Sequence, residues 1–472
     1  MDAQREATGM PIATVNPATG ETERTFEALG PQEIEARLAR ATAAFDRYRT
    51  TPFAERAARL RRAADLLDED AADVARTITT EMGKPLAAAR AEAGKCAKTM
   101  RWYADHAEGL LADEHPDEGD VRDSGASRAF VRYRPVGVVL AVMPWNFPLW
   151  QVVRFAAPAL MAGNVGLLKH ASNVPQTALY LEDLFRRAGF DEGCFQTLLV
   201  GSGAIEGILR DPRVAAATLT GSEGAGRSVA AIAGDEIKKT VLELGGSDPF
   251  VVMPSADVEA AARTAVTARV QNAGQSCIAA KRFIVHGEVY DAFLARFAAG
   301  MRELTVGDPM DEGTDVGPLS SEQGREDLEE LVDDAVRQGA TTVCGGQRPK
   351  GLERGFFYEP TVLTGITRAM RIHREETFGP VATVYRVADL DEAIAVANDT
   401  SFGLSSNVWT TDAAEQERFV RDLQAGGVYF NGMTASHPAF PFGGVKRSGY
   451  GRELSGHGIK EFCAVTTVWH GA

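Results

Sequence analysis

Five short apolar runs follow one another through the middle of the chain, at residues 136–143, 165–168, 197–200, 215–220 and 240–244, with Ala-rich helical stretches between them. Near-continuous apolar strands of this kind belong to a parallel sheet covered by helices on both faces. The strand–helix rhythm predicts a doubly wound, Rossmann-like unit whose ligand crevice lies at the carboxyl ends of the strands. With 472 residues the chain is too long for one core, so two or three structural units are expected.

The flanking segments have a different rhythm. Residues 31–115 read as helices; Ala, Leu and Ile recur at helical spacing over residues 54–80, and Gly83-Lys84-Pro85 breaks the pattern. Residues 117–127 turn polar and Gly-rich, and a half-exposed strand is predicted at 130–134, ending at Pro135, as an arm. A second α/β unit begins near Ser247, with strands at 250–253 and 282–286 and an amphipathic helix at 258–271. Residues 461–469 are strand-like. An unpaired apolar strand is an aggregation liability, so this tail should pair with the 130 arm or with a partner subunit. The predicted division is a dinucleotide-binding domain at 1–117 and 136–245, a second α/β domain at 246–425, and an arm and tail at 118–135 and 426–472.

Charge and cysteine usage exclude several roles. A formal net charge of -15 leaves no basic face for nucleic acid or an anionic membrane. The cysteines (Cys96, Cys194, Cys277, Cys344 and Cys463) are odd in number, widely spaced and without a CxxC, which argues against a disulfide framework or a zinc site. His170, His373 and His437 lack metal-ligand spacing, and no metal is predicted. Residues 1–10 carry no apolar core of a secretory signal, and Arg154, Pro148, Pro158 and Gly163 break the apolar stretch 147–168 before it could span a bilayer. A cytoplasmic protein is expected.

Five segments carry chemistry. In Asn272-Ala273-Gly274-Gln275-Ser276-Cys277 the cysteine is placed on a tight loop entering a helix, where the local positive field would favour a thiolate. A cysteine by itself is more often a small buried hydrophobe, as expected for Cys194 and Cys463. Glu243, before Leu244-Gly245-Gly246, ends the last predicted parallel strand, where a carboxylate can serve as general base rather than as a solvated surface acid. Asn146, in Pro144-Trp145-Asn146-Phe147-Pro148, follows the first strand; its amide can donate to a developing oxyanion or simply serve the turn. Glu375-Glu376-Thr377-Phe378-Gly379-Pro380 and the Gly-rich segment 441–449 are weak signals taken singly.

Together, and with the Asn16-Pro17-Ala18-Thr19-Gly20 opening and Thr220-Gly221-Ser222, these segments resemble the aldehyde dehydrogenase superfamily over nearly the whole chain. The resemblance implies that Cys277 is the nucleophile, that Asn146 and the Cys277 N–H stabilise the oxyanion, and that Glu243 activates the water that hydrolyses a thioester. It implies NADP or NAD as cofactor, with Lys169 on the adenosine ribose, Ser222 with Gly221 on the pyrophosphate, Glu376 on the nicotinamide ribose, and Phe378 and Trp145 at the nicotinamide pocket. The 246–425 unit becomes the catalytic domain, and the arm and tail the means of forming a homodimer or homotetramer. The substrate is a small aldehyde.

Departures from the family pattern sharpen the expectation. There is no GxGxxG; the loop 221–226 looks like the family's looser phosphate loop. Ser172 stands where NAD-preferring relatives often carry Glu, which removes repulsion of a 2′-phosphate and favours acceptance of NADP; alternatively it caps the helix that follows. Arg154 matches an arginine with which succinate-semialdehyde dehydrogenases hold the substrate carboxylate, the alternative being a structural salt bridge. The second arginine of many such enzymes is Gln271 here, and residues 168–174 and 279–282 look like a bacterial sub-branch that carries Gln there. Ser436 or His437 would supply the missing polar contact. Ala279 leaves no partner for a redox disulfide with Cys277. The rivals are a broad-range aliphatic or aromatic aldehyde dehydrogenase, a CoA-acylating semialdehyde dehydrogenase, which the presence of Glu243 disfavours, and an inactive binding protein.

Overall fold

The computed structural model describes residues 11–471, so the reading of the first ten residues lies outside it. Two sheets organise the chain. The first has six strands in the order Gly449–Tyr450, Lys239–Glu243, Val214–Thr220, Val138–Met143, Val165–His170, Phe195–Thr197. All neighbours are parallel except the Gly449–Tyr450 edge. The order of the five parallel strands is 3-2-1-4-5 in chain numbering, so the succession reverses between Val138–Met143 and Val214–Thr220 and opens a crevice there. Strand residues such as Val139, Leu140, Ala141, Leu167, Ala217 and Val241 are buried on both faces, as the apolar runs require. The third strand lies upstream of the expected 197–200 run, because residues beyond Thr197 turn away and the Leu199 carbonyl accepts from Leu29 N–H at 2.8 Å.

The second sheet has seven strands in the order Thr341–Cys344, Thr361–Thr364, Val381–Val387, Arg282–His286, Pro249–Val252, Ser406–Trp409, Val428–Phe430. Only the Thr341–Cys344 edge is antiparallel. This sheet runs past the expected limit at residue 425, since Val428–Phe430 is its far edge. The tail divides further: Gly449–Tyr450 returns to the first sheet, and Glu461 ends a helix, Ser455–Glu461, rather than beginning the terminal strand.

Helices Phe53–Glu69, Ala71–Met82 and Leu86–Leu110 pack with Trp150–Ala162 against the first sheet. Ala71–Met82 ends on Gly83 at φ +79, a left-handed cap. The arm Ala126–Pro135 pairs antiparallel with Cys463–Gly471 of the same chain. No helix among the described residues is long and apolar enough to cross a membrane.

Candidate active site

Four parallel strands of the first sheet deliver candidate residues at their carboxyl ends. Asn146 follows Val138–Met143, Lys169 sits next to the end of Val165–His170, Gly221 and Ser222 follow Val214–Thr220, and Glu243 ends Lys239–Glu243. Ser222 caps the helix Glu223–Asp235, its Oγ accepting from Ala225 N–H at 3.3 Å. The helix N-terminus thereby points its remaining N–H groups at an incoming anion.

The Cys277 segment differs from expectation. No helix starts after Cys277: a 3-10 turn, Gln271–Gly274, leads into an irregular loop that feeds the strand Arg282–His286. Gly274 has φ +75, and a Cβ there would lie 2.2 Å from the Gly379 carbonyl oxygen. The nucleophile loop and the Phe378-Gly379-Pro380 segment therefore touch backbone to backbone, and only glycine allows it. A buried ammonium takes the place of a helix field. Lys281 Nζ donates to the carbonyls of Ser276 (2.9 Å), Cys277 (2.9 Å) and Ala279 (3.2 Å), and lies 3.2 Å from Glu376 Oε1. Burial pushes the Cys277 thiol up to about 12, against the pull of Arg154 and Lys281. The sulfur is thus held as a thiol, and its attack requires a base.

Asn146 reaches beyond its own turn. Its Nδ2 donates to the Gln275 carbonyl at 3.1 Å, across 129 positions of sequence. Its own carbonyl accepts from Asn272 Nδ2 at 2.8 Å, and that amide also donates to Gln275 O at 3.0 Å. One N–H of the Asn146 amide is used in fixing its orientation beside the cysteine, and the second remains for another acceptor. Buried Glu92 holds the following turn, accepting from the N–H groups of Leu149 and Trp150 at 2.9 Å each while paired with Lys84.

Glu243 is only 2% exposed. Neither of its carboxylate oxygens meets a hydrogen-bond donor among the described residues. Burial pushes its carboxyl up to about 8, opposed by Arg154 and Arg452 and reinforced by Glu453. The Gly-rich loop closes over it: a Cβ on Gly443 would lie 2.8 Å from Glu243 Oε1.

Arg154 projects from Trp150–Ala162 toward the same place but already has a carboxylate. Its guanidinium pairs with Glu453, lies over the Phe442 ring at 4.8 Å, and donates to Thr220 Oγ1 at 3.3 Å. The arginine is 2% exposed. In this structure Arg154 forms the salt bridge that was the alternative to a substrate anchor. Burial pushes the Glu453 carboxyl up, against the pull of Arg154. Ser436 is buried and accepts from Lys95 Nζ at 2.7 Å. Gln271 Nε2 is buried and has no partner among the described residues.

The residues present fit a dinucleotide. Glu376 lies between the two halves of the site: its Oε1 accepts from Gly246 N–H at 3.1 Å, and a Cβ on Gly245 would sit 2.5 Å from its Oε2. The two glycines after Glu243 thus make a cradle that any side chain would fill. Trp145 and Phe378 meet edge to face at 5.8 Å and 87°. Ser172 is no helix cap, since the next helix, Pro175–Arg187, begins after Val174; the Ser172 carbonyl instead accepts from Ala13 N–H at 3.0 Å. No group of three or more His, Cys, Asp or Glu side chains among the described residues could hold a metal ion.

Lys95, Lys281 and Glu453 were missed in the sequence. Lys281 carries the signal that singled out Arg154, a charge directly after apolar Ala279 and Ala280. Lys95, between Ala93-Gly94 and Cys96-Ala97, carries the same signal, whereas Glu453 follows Arg452 and carries none.

The family description "Aldehyde dehydrogenase family" matches residues 4–468. The chain belongs to that family. This aldehyde dehydrogenase is 65% identical over 464 residues to a protein of Mycolicibacterium paratuberculosis named succinate-semialdehyde dehydrogenase (NADP(+)), covering 98% of this chain and 97% of the relative. It is 65% identical over 461 residues to succinate-semialdehyde dehydrogenase (NADP(+)) 1 of Mycobacterium tuberculosis, covering 98% of this chain and 100% of the relative. The aldehyde dehydrogenase fold also superposes on the crystal structure of succinic semialdehyde dehydrogenase from Streptococcus pyogenes in complex with NADP+. The TM-score there is 0.94 at 36% identity, covering 98% of this chain and 100% of that one. For succinate-semialdehyde dehydrogenase from Burkholderia pseudomallei the TM-score is 0.93 at 37% identity, covering 98% and 95%.

Proposed function

We propose that the chain oxidises succinate semialdehyde to succinate with NADP, using Cys277 as nucleophile. The observation that carries the chemistry is the junction of Asn146, Gln275 and Cys277, where an oriented amide stands beside a thiol at the mouth of a dinucleotide crevice. The 65% identity to relatives named for this aldehyde, over 98% of the chain, supports the substrate and NADP.

In this reading Cys277 Sγ attacks the aldehyde carbon while its proton passes to Glu243. The carbonyl oxygen gathers charge against the Asn146 amide and the Cys277 N–H. A nicotinamide, when bound, would accept the hydride that the thiohemiacetal gives up, which leaves a thioester on Cys277. Glu243 passes that proton to solvent and then takes one from water as the water oxygen attacks the thioester carbon; the proton returns to Cys277 Sγ as the C–S bond breaks, and the acid formed leaves and ionises to succinate. Lys169 and Ser172 would hold the adenosine ribose and its phosphate, Gly221 and Ser222 the pyrophosphate, and Glu376 the nicotinamide ribose, with Trp145 and Phe378 beside the ring.

The enzyme works in the cytoplasm as a homodimer or homotetramer. The arm–tail ribbon supports the oligomer: two strands alone are marginal in water, and Val465 and Trp469 are 67% and 53% exposed on it.

The test is kcat/KM for succinate semialdehyde and for butyraldehyde, which share a four-carbon chain, each with NAD and NADP and without CoA. A preference for the carboxylate-bearing aldehyde is expected, with NADP as the better cofactor. Equal rates on the two aldehydes would make the enzyme a broad-range aldehyde dehydrogenase. Dependence on CoA would overturn the hydrolytic step.

A further inference from the structure

The two donors of the oxyanion site come from different sheets. The Asn146 amide stands at the carboxyl edge of the first sheet, and the Cys277 N–H lies on the loop that feeds the second. For both to bond one oxygen, their separation has to be held to within about 0.5 Å. We propose that Asn272 is the positioning residue that sets this separation, by bridging the two segments with a single amide nitrogen. This assignment rests on the reading of Asn146 as oxyanion donor.

The bridge is short and fully used. Asn272 Nδ2 donates to the Asn146 carbonyl at 2.8 Å and to the Gln275 carbonyl at 3.0 Å. An amide nitrogen has two hydrogens, so none is left over. The Gln275 carbonyl also accepts from Asn146 Nδ2 at 3.1 Å, which occupies both of its lone pairs. Asn146 is thereby held twice from one segment, by its backbone through Asn272 and by its side chain through Gln275, two residues before Cys277. Turning the Asn272 amide over would set its oxygen against two carbonyls, so its partners fix its orientation. Asn272 is buried and both its amide hydrogens are committed, so it has no donor for the reacting oxygen and acts through Asn146.

The backbone is bent to allow this. Asn272 and Ala273 have φ +56 and +53. Asparagine enters the left-handed region more readily than most side chains, whereas alanine is strained there. Such a pair persists only where its surroundings over-determine it. Here Arg269 Nη2 donates to the Gly274 carbonyl at 2.8 Å, and Ser320 N–H donates to Gln275 Oε1 at 2.9 Å. A residue needed only for its left-handed backbone could be replaced by glycine. A residue needed for its donor could not.

The experiment compares full-length wild type, Asn272→Gly, Asn272→Asp, Asn146→Ala and the double variant Asn146→Ala with Asn272→Gly. Each is assayed with saturating NADP on succinate semialdehyde or butyraldehyde, whichever wild type oxidises faster. Glycine keeps the backbone free and removes the donor. Aspartate keeps the shape and the backbone preference but, ionised, turns acceptors toward both carbonyls; it carries the test, alone and in the double variant, if the glycine variant does not fold. Asn272→Gly is expected to lower kcat roughly 10–100-fold while the NADP dissociation constant, read by fluorescence quenching, stays within about twofold. Asn272→Asp should lose at least as much. Asn146→Ala should lose roughly 10²–10³-fold, and adding Asn272→Gly to it less than about threefold more, because a bridge to a missing amide has nothing to position. If Asn272→Gly or Asn272→Asp keeps kcat within about threefold of wild type, the donor is not needed and the proposal is overturned. If the losses from Asn146→Ala and Asn272→Gly multiply, Asn272 acts on something other than the amide and the proposal is overturned as well. If Asn146→Ala itself keeps the wild-type rate, the oxyanion reading fails and the role of Asn272 fails with it.

Discussion

The two walls of the active site are held in opposite ways. On the nucleophile wall the backbone is tied down: one ammonium serves three carbonyls and Glu376, and glycines let the segments touch backbone to backbone. On the base wall Glu243 is buried with no donor on either oxygen, beside a second buried carboxyl, Glu453, that Arg154 restrains. A loop whose carbonyls share one ammonium fixes where the sulfur stands. An unsatisfied carboxyl, raised in pKa, is ready to exchange protons with water or thiol. Precision is built into one wall and reactivity into the other, and whether the buried charged group, Lys281 or Glu243, finds partners is the variable that separates them.

The strongest way to test that contrast is Glu243→Gln. Steady-state turnover should fall roughly 10³-fold, and the first-turnover burst of reduced cofactor should slow as well, because thiol activation and thioester hydrolysis lose the same base. Stability should move the other way. The folded-state pKa lies above the ordinary 4.5, so the native state holds this proton more tightly and the wild type loses stability as pH rises from 4.5 through about 8. The glutamine variant does not ionise, so it should melt above wild type at pH 8.5 and show no gain at pH 4.5. A variant that melts lower at both pH values would mean that Glu243 is satisfied, and the contrast would break.

Lys281→Met probes the other wall. It strips a buried cation from three carbonyls and Glu376, and should cost about 3–5 kcal/mol in thermal or chemical unfolding. KM for the nucleotide should rise with it, since Glu376 loses its neighbour. A loss below about 1 kcal/mol would show that the loop is held by its glycine contacts alone.

The mildest test is the pH profile of the wild type. Glu243 acts as base only when ionised, so kcat/KM should rise nearly tenfold per pH unit below about 8 and flatten above it. A profile already flat at pH 6 would place the working carboxylate in a polar setting and remove the distinction.

Much of this was legible in the chain. Four apolar runs became parallel strands where expected, because burial on both faces leaves a composition that no half-exposed strand shows. Asn146 and Glu243 stand at the carboxyl edge of the first sheet, whereas Cys277 lies on the loop that leads into Arg282–His286 of the second. Long-range pairing was not legible. The Lys95–Ser436 bond spans 341 positions, and the Gly449–Tyr450 edge has two residues and so no periodicity to read. The helix expected after Cys277 failed for a local reason: Gly274-Gln275-Ser276 reads as a helix entry, but Lys281 takes the carbonyls that a helix would have used. Arg154 was singled out correctly as a costly buried charge, but its partner, Glu453, lies in a segment that looked like tail.

The tail's return to the first sheet sets a timetable for biosynthesis. The strand that carries Glu243 gains its outer neighbour only from Gly449–Tyr450, and Ser448 Oγ donates to the Gly245 carbonyl at 2.6 Å across 203 positions. Arg154 waits in the same way for Glu453. A ribosome adding roughly 5–20 residues per second leaves the half-made enzyme for many seconds with its thiol-bearing loop present and its base unframed. Competence arrives with the last stretch of chain, so a nascent molecule is protected from premature chemistry by the order in which its parts emerge.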